Sequence, residues 1–296
     1  MAQITLGVFS PSVLLEVART TGRLEAADLT VRDVPVPSSP AQFTSLRAGE
    51  FDAVFTSPDN VLAYRFLPAN PLGELLDVEI VAGIDHGLGL CLGVRPGVTD
   101  PAELRGGRLG VDVPNSGFAF VAYALLEELG CSRDELEIVA LGSTPKRASA
   151  LHSGGCDVTV LNAGNELVAR AQGCTLLADV TRLGPYLGTV VARLQQAPGA
   201  EHVDRLVEVL GDTARAVLAG ELEREAVDAA EQLLGLSPEL AAEHVAVLHD
   251  PLRGLISDGS VDEAALATLV GLRRRFLPAP ELDNISADAV TRVRRT

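Results

Sequence analysis

The chain has 296 residues, 47% of them apolar, which is enough to bury sizeable cores in about two domains. Its formal charge of -16 and pI near 4.7 argue against a nucleic-acid surface or an anionic membrane as partner, since both require clustered Lys and Arg. Cys91, Cys131, Cys156 and Cys174 are too scattered for a CxxC pair or zinc knuckle, so reduced, buried thiols are expected, with no metal site and no cofactor.

Residues 1–25 have no basic n-region and no uninterrupted apolar h-region, and no run reaches the roughly 18 apolar residues of a membrane span. No membrane insertion is expected. As written the chain is expected in the cytoplasm; a periplasmic or other extracytoplasmic place requires that a signal was removed ahead of it.

In chain order, Ile4 to Val8 predicts a buried strand, Phe9-Ser10-Pro11-Ser12 a turn, and Val13 to Thr21 a helix. Leu29 to Val34 predicts a second strand. Ser39 is the expected N-cap of a helix with Pro40 at its first position, and Gly49 closes it. A short strand, Ala53 to Thr56, then runs into a polar loop ending at Asn60. Val78 to Ile84 and Leu88 to Val94 are strand-like, with Asp85-His86-Gly87 between them.

The pattern then recurs. Strand Arg108 to Val113, loop Pro114-Asn115-Ser116-Gly117 and helix Phe118 to Leu129 repeat the opening, and strand Leu136 to Leu141 repeats the second strand. Residues 143 to 165 repeat residues 38 to 60 without a gap at an offset of 105, with six identities: Ser38/Ser143, Pro40/Pro145, Leu46/Leu151, Gly49/Gly154, Asp52/Asp157 and Asn60/Asn165. Leu6-Gly7-Val8-x-x-Pro11 returns as Leu109-Gly110-Val111-x-x-Pro114 at an offset of 103. Thr144 is the matching expected cap, and a polar loop ends at Asn165. Leu187 to Leu194 is a further strand, and helices follow over Val203 to Leu218, Leu222 to Leu234, from Ser237-Pro238, and over Val261 to Leu277.

Strands alternating with helices imply parallel sheets with right-handed crossovers. The expected fold is therefore α/β, two similar lobes containing parallel sheets around a central cleft, with the helical C-terminal segment packing on the first lobe. The first lobe is expected to be discontinuous, residues 1–88 with 190–296, and the second to be residues 89–189.

Ligands collect at the carboxyl ends of parallel strands, which places Phe9 to Ser12, Ser57 to Asn60, Pro114 to Phe118 and Asn162 to Glu166 on facing walls. Ser10, Ser12, Asn115 and Ser116 sit at helix starts, where free amides hold carboxylate, phosphate or sulfonate groups. Asp59 and Asn60 are expected to face Asn165 and Glu166, and Phe9 and Phe118 to offer ring faces to a flat ligand. Asn162 stands opposite Ser57 where the two copies of the repeat differ. His86, at the crossing, is the candidate proton carrier beside a bland alternative, a histidine bonded to backbone. His244 and His249 lie on different faces of a helix and are expected to be solvated or locally bonded. Asp52 and Asp157 are expected to terminate turns at the far end of the lobes. The chain carries no GxGxxG after a strand, GxxxxGK[ST], HExxH or GxSxG.

The lobe order, the block Gly49-Glu50-Phe51-Asp52-Ala53-Val54-Phe55-Thr56-Ser57-Pro58-Asp59-Asn60 and the stretch Leu109 to Gly117 resemble the solute-binding proteins of the alkanesulfonate, nitrate and thiamin-precursor group, over about residues 3 to 195. The resemblance implies the type II periplasmic-binding architecture, closing on a small anionic or heteroaromatic ligand, with an ABC importer permease as partner of the transport members. It also implies an alternative, a cytosolic enzyme on the same scaffold, either a lyase, decarboxylase or desulfinase or one related to thiamin-pyrimidine synthesis. In that case His86 and Glu166 are the candidate catalytic groups. The synthases' CCCFC motif is absent, and where the desulfinase has a nucleophilic cysteine this chain has Phe9-Ser10-Pro11-Ser12, so neither chemistry carries over.

Overall fold

The chain opens on β1 (Ala2–Val8), whose Ile4, Leu6 and Val8 are buried, and Ser12 then caps α1 (Val13–Thr20) by accepting from the Leu15 amide. The computed structural model describes residues 1–291, so the end of the expected 190–296 segment, residues 292–296, lies outside it. A short α2 (Arg23–Ala26), β2 (Leu29–Pro35), α3 (Ser39–Arg47), β3 (Ala53–Thr56), α4 (Pro58–Phe66) and β4 (Val78–Gly83) follow. The second half runs β5 (Cys91–Val94), β6 (Arg108–Val111), α5 (Gly117–Glu128), β7 (Glu137–Ala140), α6 (Thr144–Ser153), β8 (Val158–Leu161), α7 (Asn165–Ala171) and β9 (Thr175–Asp179). It closes with β10 (Val190–Leu194), α8 (Ala200–Leu218), α9 (Glu223–Leu234), α10 (Pro238–Leu248) and α11 (Glu263–Phe276).

Two five-stranded sheets form, ordered β2-β1-β3-β10-β4 and β7-β6-β8-β5-β9. The order shows an exchange: β5 follows β4 in sequence but joins the second sheet, and β10 follows β9 but joins the first. Each exchanged strand runs antiparallel to both neighbours, so the sheets are mixed rather than wholly parallel. The apolar runs predicted the strands but carried no information on direction, and β9 was not expected from the sequence.

The repeat is visible in the registers. Leu6 pairs with Ala53 and Leu109 with Val158; Val191 pairs with Phe55 and Leu92 with Val160. Even the β-bulges match, falling between Val191 and Ala192 in one lobe and between Leu92 and Gly93 in the other. The repeated aspartates have one job. The Asp52 carboxylate accepts from the Thr5 amide at 2.7 Å and Asp157 from the Arg108 amide at 2.7 Å, each tying the turn ahead of its own strand to the neighbouring parallel strand, β1 or β6. The repeated Gly7 and Gly110 leave room for Phe51 and Cys156, which a Cβ would approach to 2.7 and 2.9 Å.

Two local expectations shift. The caps of α3 and α6 are Ser38 and Ser143, one residue earlier than Ser39 and Thr144, so those two hydroxyls lie inside their helices. The expected polar loops ending at Asn60 and Asn165 are helix starts: Ser57 caps α4 with Pro58 at its first position, and α7 begins at Asn165. Proline with a hydroxyl before it starts a helix as readily as it makes a turn, and β3 leads directly into one.

The C-terminal helices pack on the first lobe, α8 against α1, β1 and β4, and α9 against α1 and α10. Helix α11 reaches further, touching α4 of the first lobe and α5 of the second. Its Arg273 makes a buried bidentate pair with Asp59, at 2.6 Å for each bond, and donates to the Asn115 carbonyl at 3.3 Å. All four cysteines are free and buried, and burial pushes the Cys156 thiol up to about 11. Among the described residues no helix is long and apolar enough to cross a membrane.

Candidate functional site

The carboxyl ends of β1, β3, β6 and β8 meet around a cavity of about 100 Å³ between the lobes. Of the residues expected there, Phe9, Ser10, Ser12, Ser57 and Asn60 line it from the first lobe, and Ser116, Phe118 and Asn162 from the second. The serines at 12, 57 and 116 cap α1, α4 and α5, accepting from the amides of Leu15, Asp59 and Ala119. Both rings expected in the cleft are on its wall, whereas Phe120 and Tyr123 are core residues against Phe276.

Five expected residues are not on this wall. Asp59 turns away to Arg273, and its Cβ would lie 2.6 Å from a Cβ at Gly117, so it serves lobe contact rather than the ligand. Asn115 contributes a carbonyl to the same cluster. His86 takes the bland alternative: its Nδ1 is 2.9 Å from the Tyr186 carbonyl oxygen, and its amide donates to Gly254. Asn165 donates back to the Asn162 carbonyl at 2.8 Å. Glu166 projects from the opposite side of α7 into another cavity, so it does not face Asp59. The cause is helical rotation, since side chains a few positions apart at a helix start leave in different directions.

The sequence reading missed the charged part of the site. Arg147, in the first turns of α6, is 1% exposed. Its guanidinium donates to the carbonyls of Gly142 at 2.6 Å and Val160 at 3.2 Å and to the Thr144 hydroxyl at 3.0 Å, and lies 6.0 Å from the Phe118 ring centroid. Its Nε has no partner, and no carboxylate among the described residues lies within ion-pair reach of it. Burial lowers its pKa, while Asp112 acts through space to raise it. The Asp112 carboxyl, on the same wall, is raised above the usual carboxylate range by burial, opposed by Arg147 and by the Ser116 hydroxyl that donates to it. The signal for Arg147 was present inside the repeat, where it stands opposite Gln42.

The floor of the cavity is the pair of crossings between the lobes. Asp85 Oδ1 accepts from the amides of Gly87 at 2.8 Å and Thr189 at 3.1 Å, tying the two connections together, and burial raises the Asp85 pKa. From α10, His244 and Leu248 close the apolar end beside Leu88 and Leu255. His244 is neither solvated nor locally bonded at Nδ1: it is 1% exposed, that nitrogen has no partner, and burial holds its pKa down to about 4. The cavity thus joins a polar end, built on Arg147, Ser116 and Thr144, to an apolar end that carries one neutral imidazole.

This architecture is the periplasmic-binding-protein fold: two mixed sheets that exchange one interior strand each, a cleft at their strand ends, and a crossing floor. No protein-family model matches the chain, and no curated protein matches it. Solved structures do match in fold. A protein of Bordetella bronchiseptica superposes with a TM-score of 0.76 at 16% identity, covering 99% of this chain and 95% of its own. The alkanesulfonate-binding protein of Xanthomonas axonopodis pv. citri, solved with MOPS bound, gives 0.70 at 17% identity over 93% of this chain and 91% of its own. A desulfurization enzyme, DszB, gives 0.64 at 18% identity over 98% of this chain and 96% of its own. Binding proteins and an enzyme therefore share this scaffold.

Proposed function

We propose that the chain is a small-molecule binding protein whose lobes, residues 1–88 with 190–296 and residues 89–189, close over a small anion carrying an apolar or aromatic body. One observation carries the reading: a buried guanidinium, Arg147, stands in the cleft wall with no carboxylate in ion-pair contact, Asp112 acting on it only through space. A buried charge is costly unless it is paired, and a sulfonate or carboxylate would supply the missing half. The Thr144 hydroxyl lies against the guanidinium, and Phe9 and Phe118 flank the space where a flat body would lie.

Two fold neighbours described as binding aliphatic sulfonates support the anionic class, and the reading carries with it an importer permease as partner and work outside the cytoplasm. The alternative, a lyase or desulfinase, has DszB behind it, but His86 and Glu166 stand off the cleft and the first cleft loop, Phe9-Ser10-Pro11-Ser12, holds no cysteine. Calorimetric titration with benzenesulfonate, methanesulfonate, benzoate and neutral benzamide tests the proposal. Saturable binding of an acid, with no binding of the amide and no product formed, is the expected result. Binding of benzamide as tightly as benzoate, or steady release of sulfite, would overturn it.

A further inference from the structure

A second cavity, of about 610 Å³, lies between the second lobe and α10 and is separate from the cleft. The two share a wall built from α7 and α10. Just ahead of α7, Asn162 and Ala163 face the cleft while Glu166 and Arg170 of the helix face the second cavity; on α10, His244 and Leu248 face the cleft while Glu243 and Val247 face the second cavity. The volume falls within the range of small-molecule sites, about 300–1,000 Å³.

Glu166 is the unusual group in it. The residue is 3% exposed, and neither carboxyl oxygen has a hydrogen-bond partner. Its Oε1 would lie 3.0 Å from a Cβ at Gly89, and the glycine keeps the space in front of the carboxyl clear. Of the charged and titratable groups that line the cavity with it, two arginines are paired with other carboxylates. Arg170 pairs with Glu243 across from α7 to α10, and Arg253 pairs with Asp250 and, at 3.4 Å, with Asp179 of β9. The Cys91 thiol of β5 is held neutral by burial, and Arg182 is exposed at the rim. Burial pushes Glu166 up to about 8, opposed by the nearby amides of Glu166 and Gly164 and by Arg170 and Arg253.

We propose that this cavity is a binding site for a small organic cation, a primary ammonium or a guanidinium, whose charge is met by Glu166. The engaged arginines leave Glu166 as the buried group still lacking a counterpart, and a donor-bearing cation supplies both hydrogen bonds and charge. The chain's net charge of -16 favours approach of such a ligand. Because burial raises the carboxyl's pKa to about 8 and the group must ionise to hold a cation, binding below that pH is accompanied by proton release.

The test is calorimetric titration of the whole protein with n-butylammonium and butylguanidinium chlorides, with sodium butyrate as the anionic control. Affinity for the cations is expected to rise with pH until about pH 8 and then level off, with proton release seen as a dependence of the heat on buffer ionisation. Glu166→Gln should weaken binding about tenfold or more, and Glu166→Asp should restore part of it. Absence of binding by both cations, equal binding to Glu166→Gln, or butyrate binding that is strongest at low pH would each overturn the site. If the glutamine variant does not fold, the pH profile and proton count of the native chain still decide. Benzenesulfonate binding in the cleft, measured separately, leaves the two proposals to fail independently.

Discussion

Gln42 and Arg147 occupy the same point of the two lobes, 105 positions apart, and each donates to the equivalent strand carbonyl, Phe55 at 3.0 Å and Val160 at 3.2 Å. One lobe places a neutral amide there and the other a cation, so the buried guanidinium of the cleft arises from a single difference between two otherwise similar scaffolds.

That equivalence supplies the replacement to make. Arg147→Gln should keep the bond to Val160 and the fold, while benzenesulfonate affinity falls about tenfold to a hundredfold, the usual value of a charge-assisted hydrogen bond. An unchanged melting temperature with lost binding is the expected combination; retained affinity would remove Arg147 from the site.

Asp112 sets the pH dependence of anion binding. Its carboxyl is raised by burial, and an arriving anion raises it further, so binding takes up a proton. Affinity should therefore fall as pH rises through the Asp112 range and then level off at a lower value. In Asp112→Asn the slope should vanish and neutral-pH affinity should increase. Titrations of both proteins across that range check the sign.

Arg273 and Asp59 form a bidentate pair buried at 3% and 1%, with the Asn115 carbonyl of the second lobe on the same guanidinium and the Phe120 ring 5.0 Å beneath it. Arg273→Met alone leaves a buried carboxylate and should cost about 3–5 kcal/mol in urea unfolding. Arg273→Met with Asp59→Leu should recover much of that loss. If the double variant is no better than the single one, the pair contributes more than mutual neutralisation.

Two buried groups give stability opposite slopes with pH. Glu166 is about 8 in the fold against an ordinary 4.5, so its favourable state is complete below 4.5 and is lost as pH rises through about 8. His244 is about 4 against 6.5, so its contribution is complete above 6.5 and is lost as pH falls through about 4. Melting temperature should fall between about pH 6.5 and 8 and then level off in the native chain, and not in Glu166→Gln; His244→Phe should remove much of the acid-side loss.

The lobes were legible because the repeat marks structural duties: Asp52 and Asp157 each bind a backbone amide of the neighbouring parallel strand, and Gly7 and Gly110 admit the side chains of Phe51 and Cys156. Strand direction was not legible, since an apolar run reads alike both ways. Within the site, Phe9, Ser12, Ser57, Ser116 and Phe118 could be placed from their position between strand and helix. Arg147 could not, because an arginine in a helix's first turn reads as solvated until the inward face of that helix is known. Glu166 and Asp59 went astray for a related reason: what read as loops are helix starts, and a helix sends neighbouring side chains to different sides.

The exchanged strands have a consequence for synthesis. The second sheet is assembled from one continuous stretch, β5 to β9, and has all its strands once Asp179 has been made. The first sheet, begun at the N-terminus, lacks the strand between β3 and β4 until Val190–Leu194 emerges. On the ribosome, the lobe that starts first must therefore wait, its sheet divided, while the lobe that starts later completes itself.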